Sequence, residues 1–267
     1  MDTLAALAAS LWPGPAWVLG LAVAISFGAG VVRGFSGFGY SALVVAGLSP
    51  FVLPGPLVVA VLMLEVVASA GSVRQVLPDV HRGWHRSLLT GNLLFVPVGL
   101  AGLAWLDPAV VRVLLSALVL VGATSVRFTL GHRLAPTPGL RHLAGVSSGL
   151  LNGFAASGGI VAALLMTASG LHPRLLRATM ISVLLWISAY ALVWSGLAAW
   201  AGEPSLLGAQ AVGWALLLWP TMALGMRMGS RAFVHARADR QAMLVLDTLI
   251  VVALGALVTA WVRLPAP

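Results

Sequence analysis

The stretch Gly30-Val-Val-Arg33-Gly34-Phe35-Ser36-Gly37-Phe38-Gly39-Tyr40 lies inside an apolar N-terminal run, yet it carries an arginine and four glycines. A second stretch, Gly149-Leu-Leu-Asn152-Gly153-Phe154-Ala-Ala-Ser157-Gly158-Gly159, echoes it. Setting Arg33 on Asn152 also sets Gly30 on Gly149, Gly34 on Gly153, Phe35 on Phe154 and Gly39 on Gly158. Glycines at this density interrupt helices, and irregular backbone at membrane depth is tolerated where it is buried in protein or lines a cavity. The pair therefore reads as two helix breaks near the middle of a membrane, forming one substrate site.

Composition supports a membrane setting. Of 267 residues, 60% are hydrophobic and 8% charged, against about 25% charged in a soluble domain, so the chain is an all-α polytopic membrane protein. The apolar runs are continuous, where barrel strands would alternate with period two. The net charge of +8 sits in short gaps between apolar runs, which points to topology rather than nucleic acid. The absence of cysteine excludes disulfides and thiolate chemistry. No Gly-x4-Gly-Lys-Ser/Thr pattern occurs, no cofactor is implied, and no histidine grouping suggests a metal. The first ten residues lack the basic region of a cleaved signal peptide.

Two broken stretches, about 17–50 and about 143–171, are expected to form helical hairpins. The first, too long for one span, fits two helices; the arms of the second are short enough to dip in and return. Six cleaner spans accompany them, about 53–72, 88–106, 109–128, 175–200, 206–227 and 242–262. Basic gaps at 74–86, 127–141 and 227–240, with Arg174 and Arg177, are assigned inside. The turns at Asp107-Pro108 and Glu203-Pro204 go outside, as do both termini. The first hairpin must then start and end outside and the second inside. This gives two inverted repeats, 1–130 and 142–267, joined by a Pro-rich linker at 131–141. Each is a glycine-broken hairpin followed by three transmembrane helices, the plan of many secondary transporters. One feature fits poorly: Leu48-Ser-Pro50 matches Leu171-His-Pro173 only after a four-residue shift.

Arg33 is the leading site candidate. A mid-membrane arginine costs at least about 2.5–3.5 kcal/mol on insertion scales, and its planar fork suits carboxylate, sulfonate or sulfite oxygens. The alternatives are that it snorkels to the outer surface or pairs with Glu65. Gly34, Gly37, Gly39, Gly153 and Gly158 let backbone N–H groups approach an anion. Ser36, Asn152 and Ser157 offer further donors, or satisfy backbone groups freed by the breaks. Glu65, inside a span, is either a coupling residue that relays a proton or a structural partner of Arg33. Asp247 reads as a surface pair with Arg240 or a neighbour. Arg177 is explained by topology alone. Trp12, Trp17, Trp84, Trp105, Trp200 and Trp261 read as interfacial anchors. Gly34-Phe-Ser36-Gly37 matches the Gly-x-Ser-Gly pattern of rhomboid intramembrane proteases, but no expected span places a histidine near its middle, so no catalytic residue is assigned.

The stretch Arg33-Gly34-Phe-Ser-Gly37-Phe38-Gly39-Tyr40 resembles the first Gly-rich motif of the sulfite exporter TauE/SafE family, whose relatives include the toluene sulfonate uptake permease. Gly149 to Gly159 resembles the second motif, and Arg177-Ala178-Thr179 the arginine-containing segment after it. The chain departs from the family in having Gly158-Gly159-Ile160 where many relatives have Gly-Gly-Pro. The resemblance implies movement of small sulfur-containing anions across the bacterial inner membrane, with export the expected direction, and a substrate contact for Arg177. An anion channel and a membrane scaffold are the rival readings. The oligomeric state is open, a homodimer included.

Overall fold

The computed structural model describes residues 16–129, 134–202 and 206–235. Within them the chain forms nine α-helices, one 3-10 turn at Leu77–Asp79 and no strand. The helices are α1 (Ala16–Ser36), α2 (Tyr40–Leu48), α3 (Pro54–Val76), α4 (Arg82–Trp105), α5 (Pro108–Thr129), α6 (Pro138–Ala155), α7 (Gly158–Ala168), α8 (Pro173–Trp200) and α9 (Ala209–His235). Five of them, α1, α3, α4, α8 and α9, are long and apolar enough to cross a membrane. The expected last span at 242–262, with Asp247, Arg240 and Trp261, lies outside the described residues, as does Trp12.

Helix starts follow local chemistry. Pro54, Pro138 and Pro173 open α3, α6 and α8 in the first helical positions, where no intrahelical N–H is needed. The side chains of Thr137 and His172 cap α6 and α8, and His81 Nδ1 caps α4 by accepting from Trp84 N at 3.3 Å. The match of Pro54 with Pro173 removes the four-residue shift: with Arg33 on Asn152, these two prolines coincide directly, and Pro50 is simply not the helix start.

Both broken hairpins are present, but their arms are unequal. The first pairs a 21-residue helix with one of 9 residues, and the second pairs 18 with 11. At 1.5 Å per residue the short arms reach only about 14–17 Å, half of a ~30 Å hydrocarbon core. The first hairpin is thus not two full spans, because the break falls late in it. Every residue of α2 is buried, so this helix is surrounded by protein rather than lipid. Ser26 donates to the Leu218 carbonyl at 3.0 Å and lies 2.9 Å from the Tyr40 hydroxyl, tying α1, α2 and α9.

The most extensive packing is α4 on α6 and α1 on α9. Both pairs run parallel. Gly30 abuts Met222 and Gly34 abuts Met226, while Gly149 abuts Asn92 and Gly153 abuts Val96. A Cβ on any of these glycines would collide with backbone of the facing helix, the small-residue packing typical of membrane helices. α3 and α8 run antiparallel: Arg174 Nε contacts Asp79 Oδ2 at 2.7 Å, and Val76 packs on Ala178 and Ile181.

Contacts sort the loops into two ends. At one, Arg174 meets Asp79, Arg141 lies over the Trp84 ring at 6.0 Å, and Leu134 N donates to Ala168 O. At the other, Trp17 packs edge-on against Phe51, Arg112 Nε donates to Ser49 O, and Gly55 meets Leu206. Trp105 and Trp200 are exposed as anchors would be, but Trp84 is 1% exposed. Trp84 is therefore a core residue, because Arg141 and α6 cover it.

Candidate functional site

The first break is built by backbone that only glycine adopts readily. Gly37 and Gly39 have φ of +83° and +92°, and Gly37 N donates to Arg33 O at 2.9 Å before α2 begins at Tyr40. The second break closes differently. Ala156 takes a left-handed φ of +50°, its N–H returns to Asn152 O at 2.9 Å, and Ser157 N returns to Leu151 O at 3.2 Å, an αL-type helix end with alanine in the usual glycine position.

Arg33 lies in the last turn of α1 and is 2% exposed. Its Nη2 is 2.8 Å from Glu65 Oε2 and donates to Ser69 Oγ at 2.6 Å. Glu65 and Ser69 share one face of α3, four residues apart, and Glu65 is the midpoint residue of that helix. The guanidinium is therefore level with the middle of a membrane-length helix, not at its end. Arg33 Nε and Nη1 and Glu65 Oε1 are buried with no hydrogen-bond partner among the described residues. Such groups normally find partners, so the guanidinium retains two nitrogens, with three N–H donors between them, for a ligand.

Arg177, in the second turn of α8, reaches the same break. Its Nη2 donates to Gly34 O at 3.0 Å, and its stem lies over Gly37, where an added Cβ would sit 2.8 Å from Arg177 Cγ. Gly37 is thus required twice, for its φ and for this contact. Ser230 Oγ of α9 donates to the same Gly34 carbonyl at 3.3 Å. The two tips touch: a Cβ on Gly159 would lie 3.6 Å from Phe38 Cβ.

The remaining expected site residues divide. Asn152 is 1% exposed with both side-chain polar atoms unpartnered, and it makes no hydrogen bond to Arg33. Ser36 Oγ is spent on its own break: it lies 2.8 Å from Val32 O and 2.7 Å from Phe38 O and accepts from Phe38 N. Ser157 Oγ donates to Ala155 O at 2.9 Å. Gly34 and Gly153 face helix backbone, and Gly158 sits against Ser148 and Asn152. Among the described residues no cluster suits a metal.

Sequence reasoning passed over Ser69, Asn92 and Ser188. Asn92 Nδ2 donates to Leu88 O at 2.8 Å and is 3.3 Å from Ser148 Oγ, leaving its Oδ1 buried and unpartnered. Ser188 Oγ is likewise buried and unpartnered. The Pro54–Pro173 match was the available signal, since it also sets Ser69 on Ser188.

Neither the curated proteins nor the solved structures yield a match. A family model described as Sulfite exporter TauE/SafE matches residues 22–259, so the chain belongs to this family of membrane transporters and is not an enzyme.

Proposed function

We propose that this protein is a secondary carrier that exports a small sulfur-containing anion, sulfite or an organosulfonate, across the bacterial inner membrane by alternating access. The observation that carries the reading is Arg33, a buried guanidinium whose Nε and Nη1, three N–H groups in all, have no partner among the described residues. Glu65 offsets one positive charge and Arg177 adds another beside the same break. In a low-dielectric interior this favours an anion over a neutral solute. Arg33 and Arg177 hold the oxyanion, and Asn152 offers a neutral donor from the second tip. Gly37 and Gly39 shape the first tip, Ser36 and Ser157 hold the two breaks in shape, and Glu65 is the residue for proton coupling.

Alternating access rests here on two inverted repeats, 1–130 and 142–267. Their support is the contact pattern. Exchanging the halves turns α1 on α9 into α6 on α4, and α3 on α8 into itself. The register agrees in detail. Gly229 faces Val31 O and Phe35 N, while Gly99 faces Leu150 O and Phe154 N, and the offset that sets Arg33 on Asn152 sets Val31 on Leu150 and Phe35 on Phe154. Directions favour inversion: α1 and α3 run with α9, α4 and α6 run with α8, and α3 opposes α8. Rocking one hairpin pair against the other would expose the touching tips to each side in turn.

Counterflow in proteoliposomes tests the reading. Labelled sulfite or sulfonate outside should enter faster when unlabelled anion is loaded inside. Flux without this trans-stimulation would instead mean a channel, and no flux with any sulfur oxyanion would remove the carrier reading.

A further inference from the structure

A groove of about 460 Å³ between α3 and α9 shares only Ser230 with the site above. Its α9 wall, Trp219 to Arg231, covers about 18 Å at 1.5 Å per residue, roughly half of a ~30 Å hydrocarbon core. Polarity changes along that length. Val67, Trp219 and Met222 line the deep part, whereas Ser72, Arg227, Ser230 and Arg231 line the other end. Arg227 and Arg231 are four residues apart on α9, hence on one face, and both are exposed. They lie toward the end of the bundle where Asp79, Arg141 and Arg174 gather.

A small soluble anion would be attracted to the arginines but has nothing to bind among Val67, Trp219 and Met222. An acyl chain alone would not need the arginines. Both ends are matched by a molecule with an apolar tail and an anionic head. We propose that this groove binds one anionic phospholipid, its acyl chain against Val67, Trp219 and Met222 and its phosphate at Arg227 and Arg231. Basic pockets between membrane helices recognise lipid headgroups in this way. The lipid would brace the helix that carries Arg33, because Met222 and Met226 form the backbone surface on which Gly30 and Gly34 pack. Ser230 links the groove to the Gly34 carbonyl that also accepts from Arg177.

Gly71 supplies a sharp test. It lines the groove, and a Cβ there meets nothing within 4 Å; a helical side chain leans toward the N-terminal turn, here toward Val67, so Gly71→Phe is directed into the apolar part of the groove. The purified protein is equilibrated with equal amounts of phosphatidylglycerol and phosphatidylcholine and examined by native mass spectrometry. One phosphatidylglycerol should be retained, preferred by about tenfold or more. Arg227→Gln with Arg231→Gln should bring the two lipids to parity. Gly71→Phe should lose the retained lipid although both arginines remain, with an unchanged melting temperature. Equal retention of the two lipids by the wild type overturns the proposal. So does full phosphatidylglycerol retention by Gly71→Phe, which would reduce the arginines to a general basic surface or mean the slot is filled by protein. Displacement of the lipid by millimolar sulfite would make the groove an anion vestibule instead. None of these readouts depends on transport, so failure here leaves the carrier reading standing.

Discussion

Arg33 and Glu65 meet as an ion pair at 2.8 Å with both side chains 1% exposed. The offset that sets Arg33 on Asn152 sets Glu65 on Leu184 and Ser69 on Ser188. In the proposed second repeat both charges are therefore missing together, replaced by an amide and an apolar side chain. Breaking a buried pair by removing one partner costs about 3–5 kcal/mol, while replacing both by well-packed residues is often neutral. Arg33→Ala is thus expected to lower the melting temperature steeply in detergent. Arg33→Asn with Glu65→Leu, copying the second half, is expected to recover most of the loss. A double variant no more stable than Arg33→Ala would argue against this account of the pair.

Arg177 and Gly37 should behave as one unit. Gly37→Ala forces a side chain into a left-handed φ, at about 1–2 kcal/mol, and pushes on Arg177 Cγ. Both Gly37→Ala and Arg177→Gln are expected to raise the KM for the transported anion. Combined, they should do little more than either alone, since residues in contact are not additive. Strictly additive effects in a transport assay would place Arg177 outside the first break.

Glycines that face another helix should differ from those that do not. Gly34→Ala and Gly153→Ala drive a Cβ into Met226 and Val96 backbone, and overpacking of this kind costs about 1–3 kcal/mol. Gly28→Ala, with nothing within 4 Å, is expected to be neutral or to stabilise by up to about 1 kcal/mol through helix propensity. Thermal unfolding of the three variants checks the ranking.

These glycines also mark the limit of what could be read in the primary structure. The two helix breaks, four of the six expected single spans and the two ends were legible because hydropathy and loop charge are one-dimensional signals. Arg33 beside Glu65 was foreseeable as one of two alternatives. The glycines were misjudged: their spacing, Gly30-x3-Gly34 and Gly149-x3-Gly153, serves close helix packing as well as it serves an anion, and only the facing helix decides which. Trp84 was misplaced for a related reason, since its cover comes from Arg141, distant in sequence. Ser188 was invisible because one serine among the three of its span carries no pattern until Pro54 is set on Pro173.

Asn152 and Ser188 are expected to trade stability for transport. Each is buried with unpartnered polar atoms, which costs about 1–3 kcal/mol per group. Ser188→Ala should raise the melting temperature while lowering the transport rate. A variant with higher stability and unchanged transport would make Ser188 a buried polar group with no part in transport.

The most direct measurement is equilibrium binding of sulfite and a small organosulfonate to purified protein, comparing the wild type with the folded Arg33→Asn, Glu65→Leu variant. The wild type should bind saturably and be stabilised by the anion in proportion to occupancy. The variant should keep its fold and lose the binding. Unchanged affinity in the variant would contradict the claim that the buried guanidinium is what holds the anion.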